Sequence, residues 1–101
     1  MSDSAGTRLK TFRMALGFSR DKFCDMTGIE NMRLITIENK KSRMSTDDLL
    51  LVVNIFPEVL EWLVKGTPLG IDTLEKSENL HLKMLALNLK VEGKNALTEG
   101  E

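Results

Sequence analysis

The chain has 101 residues, which is enough for one domain with a modest core and too few for two ordinary globular units. Hydrophobic residues make up 42% of it and charged residues 29%, proportions typical of a soluble globular protein. We find no apolar run long enough to cross a bilayer and no charged-then-apolar leader, so we expect a cytoplasmic protein with no membrane partner.

The cysteine and histidine content argues against metal binding and catalysis. Cys24 is the single cysteine, so no internal disulfide can form, and His81 is the single histidine. No Cys/His cluster has metal-ligand spacing, and no nucleophile–base pair can be assembled. We therefore expect no metal, no cofactor and no enzymatic activity. Cys24 is expected to be a small buried apolar residue, and His81 a solvated helix residue.

The net charge of −1 conceals an asymmetry between the two halves of the chain. Residues 1–45 contain nine Lys and Arg against five Asp and Glu, whereas residues 46–101 contain five against ten. A basic N-terminal half favours attraction to phosphate groups, and an acidic C-terminal half would face away from them or towards another partner. The alternative is a chance asymmetry on a solvated surface.

The first predicted helix covers residues 7–16. Leu9, Phe12 and Leu16 recur at i, i+3 and i+7, and Gly17 is suited to end the helix. We place three basic residues on its polar face: Arg8, Lys10 and Arg13.

Residues 19–41 predict two short amphipathic helices joined by a tight turn at Gly28, with Ser19 capping the first of them. A helix that ends and restarts within a few residues needs a position with positive φ, which glycine adopts without Cβ strain. The outward positions of the second helix are candidates for reading base edges in the major groove: Asn31, Met32, Arg33 and Thr36. Asn31 suits adenine, Arg33 suits guanine, and Met32 suits a thymine methyl group.

A polar, basic loop follows, and Ser45 with Asp48 resembles a capping box that opens a fourth helix. The apolar run at residues 49–53 predicts that this helix is buried on every side. Pro57 suits the first turn of a fifth helix, which contains Trp62 and ends at Gly66.

Beyond Gly66 the composition predicts a connecting segment and then one further element at residues 80–92. Partial alternation of apolar and polar residues raises the possibility of a β-strand, but the alternation slips between Met84 and Leu85, which favours a helix. On a helix the apolar residues form two opposed stripes, the first comprising Leu80, Met84, Leu87 and Val91, and the second Leu82, Leu85 and Leu89.

A helix with two apolar stripes must be covered twice, and a twofold-related copy is the economical second cover. We therefore predict a homodimer interface at all seven of these residues. The alternatives are a leucine-rich helix that completes the intramolecular core and an edge strand.

Three segments within residues 8–66 together resemble one family. In chain order they are RLKTFRMALGFSRDKFCDMTGI, ITIENKK and EWLVKGT. The chain resembles the lambda-repressor-like, Cro/C1-type (Xre family) helix-turn-helix regulators. The resemblance implies an all-α fold, with a five-helix DNA-binding domain at residues 1–66. Residues 67–101 would add a linker, a dimerisation helix and a disordered tail.

The resemblance also implies roles for individual residues. Arg13 and Glu38 match an internal ion pair that links the first helix to the end of the third. Five residues match positions that contact DNA phosphates: Arg20, Asn39, Lys40, Lys41 and Arg43. Two departures from the family pattern are the acidic Glu30 at the start of the recognition helix and Lys40 in place of a glycine. The second departure predicts that Asn39 takes the left-handed position.

The function implied is sequence-specific transcriptional regulation, as a repressor that binds an inverted-repeat operator in double-stranded DNA as a homodimer. The alternative is a protein-interaction module on the same fold, such as an antitoxin or anti-repressor, that uses the acidic C-terminal half to bind a protein partner.

Overall fold

The chain is helical over most of its length in the computed structural model, which describes residues 4–98, with the backbone alone for Ser4. Seven α-helices are found in this part of the chain: α1 Ser4–Leu16, α2 Arg20–Thr27, α3 Asn31–Glu38, α4 Thr46–Ile55, α5 Leu60–Lys65, α6 Ile71–Lys76 and α7 Leu80–Val91. A 3-10 turn at Pro57–Val59 leads into α5, and two short strands complete the structure, β1 Leu69–Gly70 and β2 Ala96–Leu97. The mainly helical class is as predicted, whereas the small sheet was not predicted.

The predicted helix ends are confirmed where a side chain or a glycine determines them. The Ser19 side chain accepts a hydrogen bond from the Lys22 amide at 3.1 Å and so caps α2. Ser45 and Asp48 form the reciprocal capping box of α4. Gly28 ends α2 with a left-handed φ of 88°, as the tight turn requires.

The end of α3 differs from the prediction. Asn39 has a φ of −88°, and Lys40 takes the left-handed position with a φ of 63°. The amides of Lys40 and Lys41 donate to the carbonyls of Ile37 at 3.2 Å and Thr36 at 2.9 Å, the two bonds of a Schellman motif. Because the motif requires a left-handed residue at this position, a lysine adopts a conformation that costs about 1–2 kcal/mol.

Phe12 of α1 lies at the centre of the core. Its ring makes edge contacts with Phe23, Phe56 and Trp62, at centroid distances of 6.4, 5.1 and 6.2 Å. These partners come from α2, the end of α4 and α5, so one aromatic side chain joins four parts of the N-terminal region.

The crossing of α1 and α3 depends on Gly6. A Cβ atom at this position would lie 2.4 Å from the carbonyl oxygen of Ile37, which is too close for any non-bonded contact. Glycine therefore permits the approach of the two backbones.

Helix α4 is not buried on every side, and that prediction is wrong. Among its apolar residues only Val52 is classed as buried, while Leu50 is 50% exposed. Helix α2 packs against one side of α4, and the side that carries Leu50 and Asn54 remains exposed.

The segment after Gly66 is not a simple linker. It forms α6, which packs against α7, and β1, which pairs antiparallel with β2 in the register Leu69 with Leu97. Leu74 and Leu97 are buried in the same hydrophobic cluster as Phe12. The segment after Gly66 and the residues before it thus share one core. The predicted disordered tail beyond residue 98 lies outside the described residues.

Residues 80–91 form a helix, and its two apolar stripes have different surroundings. Leu82, Leu85 and Leu89 are buried in the core of their own chain, which corrects the prediction that they belong to a dimer interface. We call the other four residues the apolar stripe; they are 59–86% exposed: Leu80, Met84, Leu87 and Val91. No helix in the described part of the chain is both long and apolar enough to cross a membrane.

Candidate nucleic-acid interface

A buried ion pair holds the end of α3 against α1. Arg13 donates from Nε and Nη2 to the two carboxylate oxygens of Glu38, at 2.8 and 3.1 Å, and the Glu38 side chain is fully buried. A third donor of Arg13, Nη1, reaches the carbonyl of Phe18 at 2.8 Å. The guanidinium therefore joins α1, the α1–α2 connection and α3. The ion pair of Arg13 with Glu38 was predicted, whereas the bond to Phe18 was not.

Arg20 shares the same carboxylate. Its Nε donates to Glu38 at 3.0 Å, and its side chain remains 37% exposed. Two arginines on one glutamate leave a local excess of positive charge at the start of α2, close to the end of α3. An exposed guanidinium edge in this place is suited to a phosphate oxygen.

The turn between α2 and α3 is held by Thr27 as well as by Gly28. The buried Thr27 hydroxyl donates to the carbonyl of Phe23 at 2.9 Å and accepts from the amide of Ile29 at 3.3 Å. These bonds satisfy backbone groups on both sides of the turn. The sequence did not predict this role of Thr27, because its spacing carries no signal of the two hydrogen bonds.

The exposed start of α3 presents Asn31 and Met32, the latter 63% exposed. Thr36 is half-buried, and its hydroxyl donates to the carbonyl of Arg33 at 2.8 Å within the helix. Glu30 precedes the helix and makes no side-chain capping bond. The start of α3 therefore offers an amide and a thioether to a ligand. The Glu30 carboxylate beside them would repel a phosphate group.

Arg33 does not point freely outwards like its neighbours. Its Nη2 lies 2.7 Å from Oδ2 of Asp48 and 3.0 Å from the carbonyl of Arg43, and its Nη1 donates to Ser42 at 2.7 Å. The guanidinium thus clamps the α3–α4 loop to the beginning of α4. The predicted base contact would require these bonds to break, because in the structure Arg33 holds the α3–α4 loop instead.

Asp48 belongs to both the clamp and the capping box. Burial opposes ionisation of its carboxyl group, but hydrogen bonds from Arg33 and from Ser45 outweigh burial and lower its pKa. The bond to Asp48 in turn raises the pKa of the Arg33 guanidinium. The pair is consequently charged at neutral pH. Neither the Arg33–Asp48 pair nor the Arg33–Ser42 hydrogen bond was predicted, because both join residues distant in sequence.

Three exposed cationic residues follow α3: Lys40, Lys41 and Arg43, together with the exposed Asn39. The Schellman motif and the Arg33 clamp hold the two ends of this loop. We call the exposed residues of α3 and this loop, with Arg20, the cationic ridge; its members are Arg20, Asn31, Met32, Asn39, Lys40, Lys41 and Arg43.

Three other predictions about single residues have definite outcomes. Cys24 is buried, and burial raises the pKa of its thiol. His81 is not simply solvated, since its ring packs edge-on against Phe18 with centroids 5.0 Å apart. Arg8 is buried rather than on a polar face, and its Nε donates at 2.9 Å to the carbonyl of Leu63 near the end of α5.

Comparison of the chain with protein-family models finds no match, and comparisons with curated proteins and with solved structures likewise find none.

Proposed function

We propose that this protein is a sequence-specific DNA-binding regulator on a lambda-repressor-like helix-turn-helix fold of the Cro/C1 type. It acts as a homodimer and represses transcription by occupying an inverted-repeat operator. The observation that carries the proposal is the cationic ridge, in which a short helix start and a basic loop are held rigidly to the core by two arginine–carboxylate clusters.

The ridge has the composition that groove recognition needs. Asn31 can read adenine through its amide, and Met32 can contact a thymine methyl group. Arg20, Lys41 and their neighbours contact phosphates, which sets position and affinity rather than sequence preference. Arg33 serves the interface indirectly, because it orients the loop that carries Lys41 and Arg43.

Selection from a duplex library with a randomised core of about two helical turns would provide a preferred sequence. Fluorescence anisotropy with that duplex should then show binding that weakens steeply with salt, because phosphate contacts release counterions. Asn31→Ala should relax base preference at one position of each half-site. Lys41→Ala should weaken binding to all duplexes and lower the salt slope by about one.

Lys76→Ala is a matched control, since it removes an exposed lysine from α6, outside both the cationic ridge and α7. Its DNA binding should equal that of the unaltered protein. Failure to select any sequence together with salt-independent binding, or no binding at low salt, would contradict the proposal.

A protein-interaction module is the second candidate, because the apolar stripe of α7 leaves four large side chains open to another protein. An antitoxin or anti-repressor of this kind would co-purify from its native host with a stoichiometric heterologous protein. Protection of α7 by that protein in hydrogen exchange would favour this candidate over the regulator.

A further inference from the structure

A groove of about 280 Å³ separates the end of α1 and its connection to α2 from one flank of α7. This volume is near the lower limit of small-molecule sites in proteins. Both sides of the groove contribute apolar side chains, and those of Phe18 and Leu85 belong to the hydrophobic core, which fixes this part of the wall. The apolar lining consists of Ala15, Leu16, Phe18, Met84 and Leu85.

Three polar side chains of the same groove gather around the ring of Phe18. The Nζ atom of Lys22 lies 4.4 Å from the centroid of this ring, in a cation–π contact, and the imidazole of His81 packs edge-on against it at 5.0 Å. Asn88 also lines the groove and follows His81 after two turns of α7. The groove therefore places an ammonium, an imidazole and an amide beside an apolar wall.

The charge of the groove favours an anionic ligand. Within the described residues no acidic side chain lines it, and Lys22 forms no ion pair there. Two other grooves in the described part of the chain each contain two carboxylates, Asp72 with Glu75 in one and Glu58 with Glu78 in the other. A ligand carboxylate would meet a cation without a competing anion at Lys22, and repulsion at the other two grooves.

We propose that this groove binds a small aromatic monocarboxylate, with its carboxylate at Lys22 and its ring packed on Leu16 and Met84. The ammonium of Lys22 has three N–H donors for the carboxylate. Met84 is 61% exposed and offers a polarisable thioether, which packs well against an aromatic ring. This site goes beyond the proposed DNA binding and does not rest on it. For an open groove of this size, the dissociation constant of a bicyclic ligand is on the order of 1 mM.

A nuclear magnetic resonance titration of the full chain with 2-naphthoate at fixed pH tests the site. His81 is the single histidine, so its ring signals report on the groove alone. We expect these signals to shift saturably. 2-Naphthamide, which has the same shape without the charge, should bind at least 5-fold more weakly. Equal affinities of the two compounds, or no saturable shift of the His81 signals, would overturn the proposal.

Substitution of Lys22 tests the role of the ammonium. Lys22→Met should raise the dissociation constant of 2-naphthoate at least 5-fold and leave that of 2-naphthamide unchanged, and Lys22→Arg should retain the affinity for 2-naphthoate. Lys65→Met is the matched control, since it removes an exposed lysine of α5 outside the groove. Equal losses in Lys22→Met and Lys65→Met would show a non-specific charge effect and overturn the proposal.

Two further variants test the location of the ligand. Ala15→Phe fills the groove and should abolish binding of both compounds. Leu87→Ser removes an exposed leucine of the apolar stripe that does not line the groove, and it should leave binding unchanged. Weaker binding in Leu87→Ser with normal binding in Ala15→Phe would place the ligand on the stripe and overturn the proposal. Circular dichroism verifies that each variant folds. These titrations contain no DNA, so their outcome is independent of the proposed function.

Discussion

Helices α3 and α7 both place one face in the same core, but their outward faces are opposite in kind. The end of α3 and its loop expose amide and cationic groups, and they are held in place by two arginine–carboxylate pairs, of which Arg13–Glu38 is buried and Arg33–Asp48 is partly buried. Helix α7 exposes the apolar stripe and is held by leucines. Directional bonds therefore support the exposed polar groups of α3 and its loop, whereas packing alone supports the exposed apolar stripe of α7. Four substitutions test this difference.

Glu38→Ala should have the largest effect, because it leaves Arg13 largely buried beside Arg20 without a counter-charge. Breaking a buried pair in this way costs about 3–5 kcal/mol of unfolding free energy. Urea denaturation measures the loss. Glu92→Ala is the control, since the ion pair of Glu92 with Lys94 is exposed and should contribute little. A loss for Glu38→Ala as small as that of the control would show that the ion pair does not hold α3.

Gly6→Ala should separate α1 from α3 while α1 retains its packing on α7. The new Cβ would lie 2.4 Å from the Ile37 carbonyl oxygen, and relief of such overpacking costs about 1–3 kcal/mol. Gly70→Ala is the matched control, because its Cβ meets no atom within 4 Å. Thermal unfolding should show a lower midpoint for the first variant alone. Equal midpoints would mean that the two backbones do not approach as described.

Acid should weaken the α3 region through Asp48. Since the folded pKa of Asp48 lies below its ordinary value of 3.8, its ionised form stabilises the fold. This contribution is complete well above pH 3.8 and is lost as the pH falls through the folded pKa. As the pH falls, the unfolding free energy of Asp48→Asn should therefore decrease by about 1 kcal/mol less than that of the unaltered protein. This figure is kept small because Arg33 is partly exposed to solvent.

Urea denaturation across the acid range measures that decline, with Asp47→Asn as the control on the same first turn of α4. Parallel declines for the two variants would exclude the Arg33 clamp as an acid-sensitive element. The leucines of α7 carry no titratable group, and the exposed Lys90–Glu75 ion pair beside them should contribute little to the decline.

Lys40→Gly should have the smallest and the most specific effect. Glycine relieves the left-handed strain at φ 63° and should stabilise the fold by about 1 kcal/mol, but it removes a cation from the cationic ridge. We expect a higher unfolding midpoint together with weaker DNA binding. Lys41→Gly, at a position with ordinary φ, should weaken binding without stabilising the fold. Unchanged affinity in Lys40→Gly would remove Lys40 from the proposed phosphate contacts.

Much of the local structure was predictable from sequence. Ser19, Gly28 and the Ser45–Asp48 pair act through backbone groups at most four residues away, so their patterns predict helix ends directly. The cationic ridge was only partly predictable. Arg33 has the sequence position of a base-reading residue, but Asp48, 15 residues away, and Ser42 bind its guanidinium.

The sequence by itself determined six of the seven helices in the described residues, the tight turn and the separation of charge between the two halves, because periodicity, capping and glycine conformation depend on near neighbours. Only the tertiary structure decided which stripe of α7 is buried, that Arg8 and Arg33 bind within the chain, and that the segment after Gly66 joins the core. The physical reason is that burial and ion pairing depend on distances through space, and residues far apart along the chain set those distances.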